Sequence, residues 1–233
     1  MSGTLEPREV ERMFDRIAGP YDTMNRVMTA GLDRRWRELA AAATGLGNGA
    51  TVLDACCGTG DLALALARQV GRVGHVTGLD FSGEMLERAR RKPRAAAAAE
   101  VTWVQGDAMH MPFPDDSFAA VTIGFGLRNL PDVEGGLREL ARVVRPGGRV
   151  VVLEITQPSS GPLKPFYGVW FKRVVPALGR ALDSSAYSYL PASVARFPGP
   201  EALGDLFWKA GMRDVRYRLL ASGIVALHTG EVV

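Results

Sequence analysis

The sequence predicts an α/β fold: a seven-stranded, mostly parallel sheet with helices on both faces, closed by an antiparallel C-terminal hairpin. Three observations predict it. From Ala50 onward, short runs that are apolar throughout alternate with runs of helical spacing. Strands apolar on both faces belong in a parallel sheet covered on both sides. The first such run ends in a glycine turn, "VLDACCGTGD", Val52 to Asp61. The tail, "MRDVRYRLLASGIVALHTGEV", reads instead as two strands joined by a short turn at Ser222 and Gly223.

Residues 1–49 are helical in pattern. Between Val10 and Trp36, Met13, Phe14, Ile17, Tyr21, Met24 and Val27 recur near helical spacing and suit a lid or a face packed on the core. "ATVLDAC" is the first strand and "DLALALARQV" the helix after it; "GHVTGLD" is the second strand. "SGEMLERARRK" is a helix with Ser82 as N-cap. "AEVTWVQGDA" and "FAAVTIGFGL" are the third and fourth strands. "DVEGGLRELARVV" is a helix closed by "RPGG", and "RVVVLEIT" is the fifth strand. Residues 157–205 are again helical, rich in aromatics and punctuated by prolines, and residues 206–233 carry the hairpin. One domain results: a helical lid (1–49), a ligand-binding core (50–156), a helical cap (157–205) and the hairpin (206–233).

A chain of 233 residues, 47% hydrophobic, suffices for one domain with a sizeable core. No window approaches the twenty or so apolar residues that cross a bilayer, and the charged start "MSGTLEPREVERMFDR" lacks a signal-peptide core. A cytoplasmic location is expected. The two cysteines, Cys56 and Cys57, are neighbours, and His75, His110 and His228 are scattered, so neither a disulfide framework nor a metal site is expected. The net charge is only +3. The basic run "RARRKPRA", Arg88 to Ala95, is read as a solvated helix end, because no aromatic residue interleaves it to stack a base.

In an open parallel sheet ligands sit beyond the C-terminal strand ends. Gly58-Thr59-Gly60-Asp61-Leu62-Ala63 fits the G-x-G-x-x-A dinucleotide pattern, and Asp80 follows at the distance of a ribose-binding acid. That pattern alone leaves open a turn built for backbone reasons. The acids discriminate between ligands. Asp61 at the start of the following helix, and Asp54 at the end of the first strand, are expected to repel a pyrophosphate that the helix N-terminus would otherwise attract. A ligand with a ribose, no phosphate and a positive charge fits better, as S-adenosylmethionine does. Asp80 is then the acceptor for the ribose diol. Asp107 is expected to accept from the adenine amino group, and the Ala108 N–H to meet a ring nitrogen, between Phe81 and Met109 as walls of the slot.

"VLDACCGTGD", "GLDFSGEML", "GDAMHMPFPDDSFAAVTIGFGLRN" and "LRELARVVRPGGRVVVLEIT" resemble the consecutive motifs of class I SAM-dependent methyltransferases, a Rossmann-like fold. Among these they resemble the family that methylates the ring carbon of demethylmenaquinol and related prenylated quinols. "YDTMNRVMTAGLDRRW", "AYSYLPASVARFP" and "GIVALHTG" resemble that family's outer signatures, so the likeness covers nearly the whole chain. Asp33 stands where the family often has His, and Gly124 where it often has Ser.

The resemblance implies S-adenosylmethionine as cofactor, no metal, and a membrane-resident prenylated naphthoquinol as partner, with no nucleic acid. It implies cofactor contacts at Asp54, Cys56, Gly58, Thr59, Gly60, Asp80, Phe81, Asp107, Ala108, Met109 and Gly124, and catalytic roles for Arg128, Asn129 and Tyr21. Arg128 is expected to stabilise a quinol oxyanion, while Asn129 and Tyr21 place the hydroxyl or a water. From position alone, Arg128 pairing with Asp132 is the alternative. The aromatic and basic stretch "LKPFYGVWFKRVVPALGRAL", Leu163 to Leu182, is expected either to cap the substrate and touch lipid headgroups at the inner face of the membrane, or to pack on the core. Rival readings are a methyltransferase for another prenylated quinol (ubiquinone pathway) or a small phenolic or lipid acceptor, an NAD-dependent reductase, and a non-enzymatic cofactor-binding module.

Overall fold

The computed structural model describes residues 7–156 and 186–233. Helices α1 (Pro7–Ile17), α2 (Tyr21–Thr29) and α3 (Leu32–Ala43) precede the sheet. Then β1 (Thr51–Ala55), α4 (Asp61–Val70), β2 (His75–Asp80), α5 (Gly83–Arg91) and β3 (Glu100–Gln105) alternate. They are followed by β4 (Phe118–Gly124), a single 3-10 turn (Leu127–Asn129), α6 (Val133–Arg142) and β5 (Val144–Ile155). Helices α7 (Ala186–Arg196) and α8 (Pro200–Lys209) lead to β6 (Arg213–Leu220) and β7 (Val225–Glu231).

The seven strands lie in the order β3-β2-β1-β4-β5-β7-β6. The first five run parallel, and β7 enters antiparallel between β5 and β6. The order reverses beside β1, where ligands bind in open α/β sheets. Continuous apolar runs follow from cover on both faces. In β5, Val151 and Leu153 face the cluster that holds Trp36 and Ala40 of α3 and Leu62 and Leu66 of α4. Val150 and Val152 face Leu137 and Leu140 of α6 and Leu203 and Phe207 of α8.

Two expectations change here. "RPGG" does not close a helix against a separate strand; β5 already starts at Val144 and runs through those residues, with a register shift between Phe118 and Ala120 on β4. The helical additions also divide differently. Helix α3 is a layer of the core, leaving α1 and α2 as an arm, and α8 packs on the sheet rather than belonging to a cap. The stretch Leu163 to Leu182 lies outside the described residues. Among the described residues, no helix is long and apolar enough to cross a membrane.

Candidate active site

Strands β1 and β4 leave the sheet through two non-glycine residues in the left-handed region, Cys56 (φ 50°) and Phe125 (φ 61°). Such backbone costs energy and persists where the surroundings enforce it. Phe125 is held by its N–H to the Leu153 carbonyl at 2.7 Å, by Trp36 at a ring distance of 6.4 Å, and by the Arg37 guanidinium 5.3 Å from its ring. Arg37 is itself paired with Asp33 at 2.6 Å. A cavity opens between these strand ends and the α1–α2 arm. Its volume is about 220 Å³.

Nine of the residues expected at the site line this cavity: Tyr21, Cys56, Gly58, Asp80, Phe81, Asp107, Ala108, Gly124 and Asn129. Asp80 is 4% exposed, and its carboxylate accepts from the Gly58 N–H at 2.7 Å and the Ser82 N–H at 2.9 Å. One lone pair remains on each oxygen, as a diol requires. Burial pushes this carboxyl up to about 6; the Ser82 and Gly58 N–H groups oppose the shift, and the charge of Asp15 adds to it. Asp107 spends one oxygen on the Met109 N–H at 2.8 Å. Asn129, in the 3-10 turn after β4, has a buried Oδ1 with no hydrogen-bond partner among the described residues. Burial, and then the charges of Asp80 and Asp54, push the Cys56 thiol up, so it stays protonated and is no nucleophile.

Five expected residues do not line the cavity, each for a visible reason. Asp54 is 1% exposed and sits inside the sheet, accepting from the Thr122 hydroxyl at 2.7 Å. Burial pushes it up to about 7, against the bond from Thr122 and the charge of Arg37. Its Oδ2 accepts no hydrogen bond among the described residues, although the nearby Ala63 N–H favours the charge. Gly60 (φ 81°) serves the backbone, since a Cβ there would come within 2.4 Å of the Trp103 ring. The Met109 thioether lies beside Gly135 and Gly136 of α6.

Thr59 donates to Asp22 of α2 at 2.5 Å and accepts from Lys92 at 2.9 Å. Arg128 turns into the sheet, where Nη1 meets Glu154 at 2.7 Å and the Phe125 carbonyl. The alternative partner Asp132 instead caps α6 through the Gly135 N–H at 3.0 Å.

One electrostatic expectation is corrected. Asp61 does not confront the ligand with a bare charge, because the Lys92 ammonium lies 2.5 Å from it. Neither Asp61 nor Asp54 lines the cavity. Among the described residues that line it, the carboxylates are Glu11, Asp80 and Asp107, and there is no Lys or Arg. The wall is therefore anionic through Glu11, Asp80 and Asp107 rather than through Asp61 and Asp54, and it still favours a cation over a phosphate.

Glu11, Lys92 and Glu154 escaped the sequence reading. Glu154 carried a legible signal, an acid ending the apolar run "VVVL", as Asp54 and Asp80 end theirs. Glu11 and Lys92 carried none, lying in charged stretches typical of solvated helices.

Comparison with known proteins decides the family. Residues 2–232 match the ubiE/COQ5 methyltransferase family. The chain belongs to that family. It is a SAM-dependent methyltransferase. A protein of Desulfitobacterium hafniense named demethylmenaquinone methyltransferase is 42% identical over 233 residues, covering 99% of this chain and 92% of that one. Its namesake in Bacillus licheniformis is 42% identical, covering 96% of each chain. The one in Staphylococcus aureus is 43% identical over 95% of this chain and 92% of its own.

Solved structures share the fold. A chain in the complex of the Haloferax volcanii Trm112 methyltransferase activator with a putative methyltransferase has a TM-score of 0.67 at 20% identity, covering 94% of this chain and 97% of that one. A SAM-dependent methyltransferase of Thermotoga maritima, described as a possible histamine N-methyltransferase, has a TM-score of 0.64 at 20% identity, covering 96% and 99%. As a family member, the chain has S-adenosylmethionine as its methyl donor, and the anionic cavity fits that cation.

Proposed function

We propose that this enzyme methylates a ring carbon of demethylmenaquinol, giving menaquinol and S-adenosylhomocysteine. One observation carries the reading: Asn129, whose buried Oδ1 has no hydrogen-bond partner among the described residues, lines an anionic cavity that is otherwise largely apolar. An unpaired buried acceptor costs about 1–3 kcal/mol, and a ligand hydroxyl removes that cost. The relatives' name, demethylmenaquinone methyltransferase, supports the same acceptor.

Asp80 and Gly58 would hold the donor's ribose side, and Asp107, Ala108 and Phe81 its adenine. When bound, S-adenosylmethionine supplies an electrophilic methyl on a sulfonium. Cys56 and Gly124 line the cavity between these groups and Asn129. Asn129 accepts from a quinol hydroxyl, and Tyr21 on the arm supplies a second polar contact.

The acceptor must be the reduced quinol, because the oxidised ring is itself an electrophile. A phenol titrates near pH 10, and the acceptor bond to Asn129 draws its proton from the ring oxygen, which enriches the neighbouring carbon. The hydroxyl proton leaves to water at the cavity mouth. The methylated ring carbon then gives up its own hydrogen as the ring re-aromatises and the ring oxygen takes a proton back, so one proton is released overall alongside S-adenosylhomocysteine. Arg128 acts through position: bound to Glu154 and to the Phe125 carbonyl, it fixes the 3-10 turn that presents Asn129. Alignment and exclusion of water supply most of the acceleration.

The acceptor's prenyl tail places it in a bilayer, so we include peripheral contact with the inner face of the cell membrane. Methyl transfer from labelled S-adenosylmethionine to chemically reduced demethylmenaquinone tests the reading, with the oxidised quinone as control. Label in the reduced compound alone is the expected result; label in neither, or equally in both, refutes it.

A further inference from the structure

Within the basic run Arg88 to Ala95, Lys92 behaves unlike its neighbours. The side chains of Arg90 and Arg91 are 43% and 81% exposed, as a solvated helix end requires, whereas that of Lys92 is 18% exposed. Helix α5 ends at Arg91, and the extended backbone of Lys92 (φ −70°, ψ 136°) leaves the helix there. Three acceptors converge on its ammonium: Asp61 at 2.5 Å, Asp22 at 2.7 Å and Thr59 at 2.9 Å. An ammonium has three donors, so each is spent.

Those acceptors come from two sides of the cavity. Thr59 and Asp61 belong to the glycine turn and the helix it opens. Asp22 belongs to α2, next to Tyr21 in the cavity wall. The side chains of Asp22 and Asp61 are 24% and 21% exposed, so the cluster is shielded more than an ordinary surface pair. Burial pushes the Asp22 carboxyl up, but the bonds from Lys92 and Thr59 and the charges of Lys92 and Arg26 outweigh it and hold it below its usual range. The arm has a separate fastening: Ser82 donates to Asp15 of α1 at 2.5 Å. Lys92, together with the Thr59 hydroxyl that donates to Asp22 at 2.5 Å, thus fastens α2 in particular, and Lys92 is the charged member of that fastening.

We propose that Lys92 is a positioning residue for methyl transfer, holding α2 and its Tyr21 in register with the glycine turn on the donor side. This rests on the reading of Tyr21 as part of the acceptor wall. A displacement of about 1 Å between reacting groups costs up to about 100-fold in rate.

The test is Lys92→Met in the full chain, with Asp22→Asn as a second variant should the first fold poorly. Hydrogen–deuterium exchange of the amides of α2, with S-adenosylhomocysteine saturating, reads the position of the helix. It is expected to accelerate while α4 and α5 stay unchanged. Turnover with reduced demethylmenaquinone is expected to fall about 10- to 100-fold, while the Kd for S-adenosylhomocysteine moves by less than about threefold. Unchanged exchange in α2 overturns the proposal, as does turnover within about twofold of the parent. A Kd that rises in proportion to the lost turnover assigns Lys92 to cofactor binding and overturns it too.

Two controls separate this from the functional reading. Should the parent enzyme fail to methylate the quinol, the proposed acceptor is wrong, and the exchange arm still decides about Lys92. Should Tyr21→Phe keep full turnover while Lys92→Met is slow and its α2 exchanges faster, the hydroxyl contact of Tyr21 is refuted and Lys92 acts through the rest of α2.

Discussion

Replacing Arg128 by Met tests the buried pair behind the site. The Arg128 and Glu154 side chains are 8% and 1% exposed and meet at 2.7 Å. Removing one partner of such a pair costs about 3–5 kcal/mol, because the other charge stays buried. Two donors to Glu154 survive the change, the Arg128 N–H at 3.2 Å and the Ile155 N–H at 2.8 Å, since both belong to the backbone. The cost therefore falls at the lower end, about 3 kcal/mol.

For a chain of this size each kcal/mol lowers Tm by about 2–4 °C. Thermal unfolding at pH 7 should show Arg128→Met melting about 6–12 °C below the parent. Adding Glu154→Gln removes the stranded charge yet keeps an acceptor for one N–H group, so the double variant should recover more than half of that loss. Turnover should stay low in both, because neither holds the 3-10 turn as the ion pair does. A drop of less than about 2 °C in the single variant, or no recovery in the double, refutes the pair as a buried charge problem.

The remaining predictions concern the strand ends and the turn. Asp54 carries a folded-state pKa raised to about 7, so the unfolded chain loses its proton first and stability falls as pH rises from about 4 to about 7. Asp54→Asn lacks this penalty; its stability relative to the parent should climb by about 2–4 kcal/mol across that window, read from urea unfolding at several pH values. Asp80→Asn should weaken S-adenosylhomocysteine about 10- to 100-fold in calorimetry, the worth of one or two hydrogen bonds to a charged group. In the parent, because the Asp80 carboxyl is raised to about 6, the same affinity should decline as pH drops from 8 through 6, the ionised form being the better acceptor. Gly60→Ala meets the Trp103 ring at a φ of 81° and should destabilise by about 1–3 kcal/mol in the same unfolding assay.

The sequence by itself determined the fold class, the succession of strands and helices along the core, and the end of the sheet at which the cavity opens. Those follow from local rules: apolar runs buried on both faces make a parallel sheet, and the loops after its strands meet where the order reverses. Asp80, Asp107 and Asn129 were legible as neighbours of the cavity because each ends or follows a strand, so their address in the sheet gives their address in its wall.

What only the tertiary structure decided is where the charges end up. Asp61, Thr59, Asp54 and Arg128 stand beside the cavity in sequence terms, yet Lys92, Asp22, Thr122 and Glu154 reach them from 26 to 68 residues away. A charge in a fold seeks the partner that spares it desolvation. That partner is chosen by packing between distant elements, which no local pattern encodes.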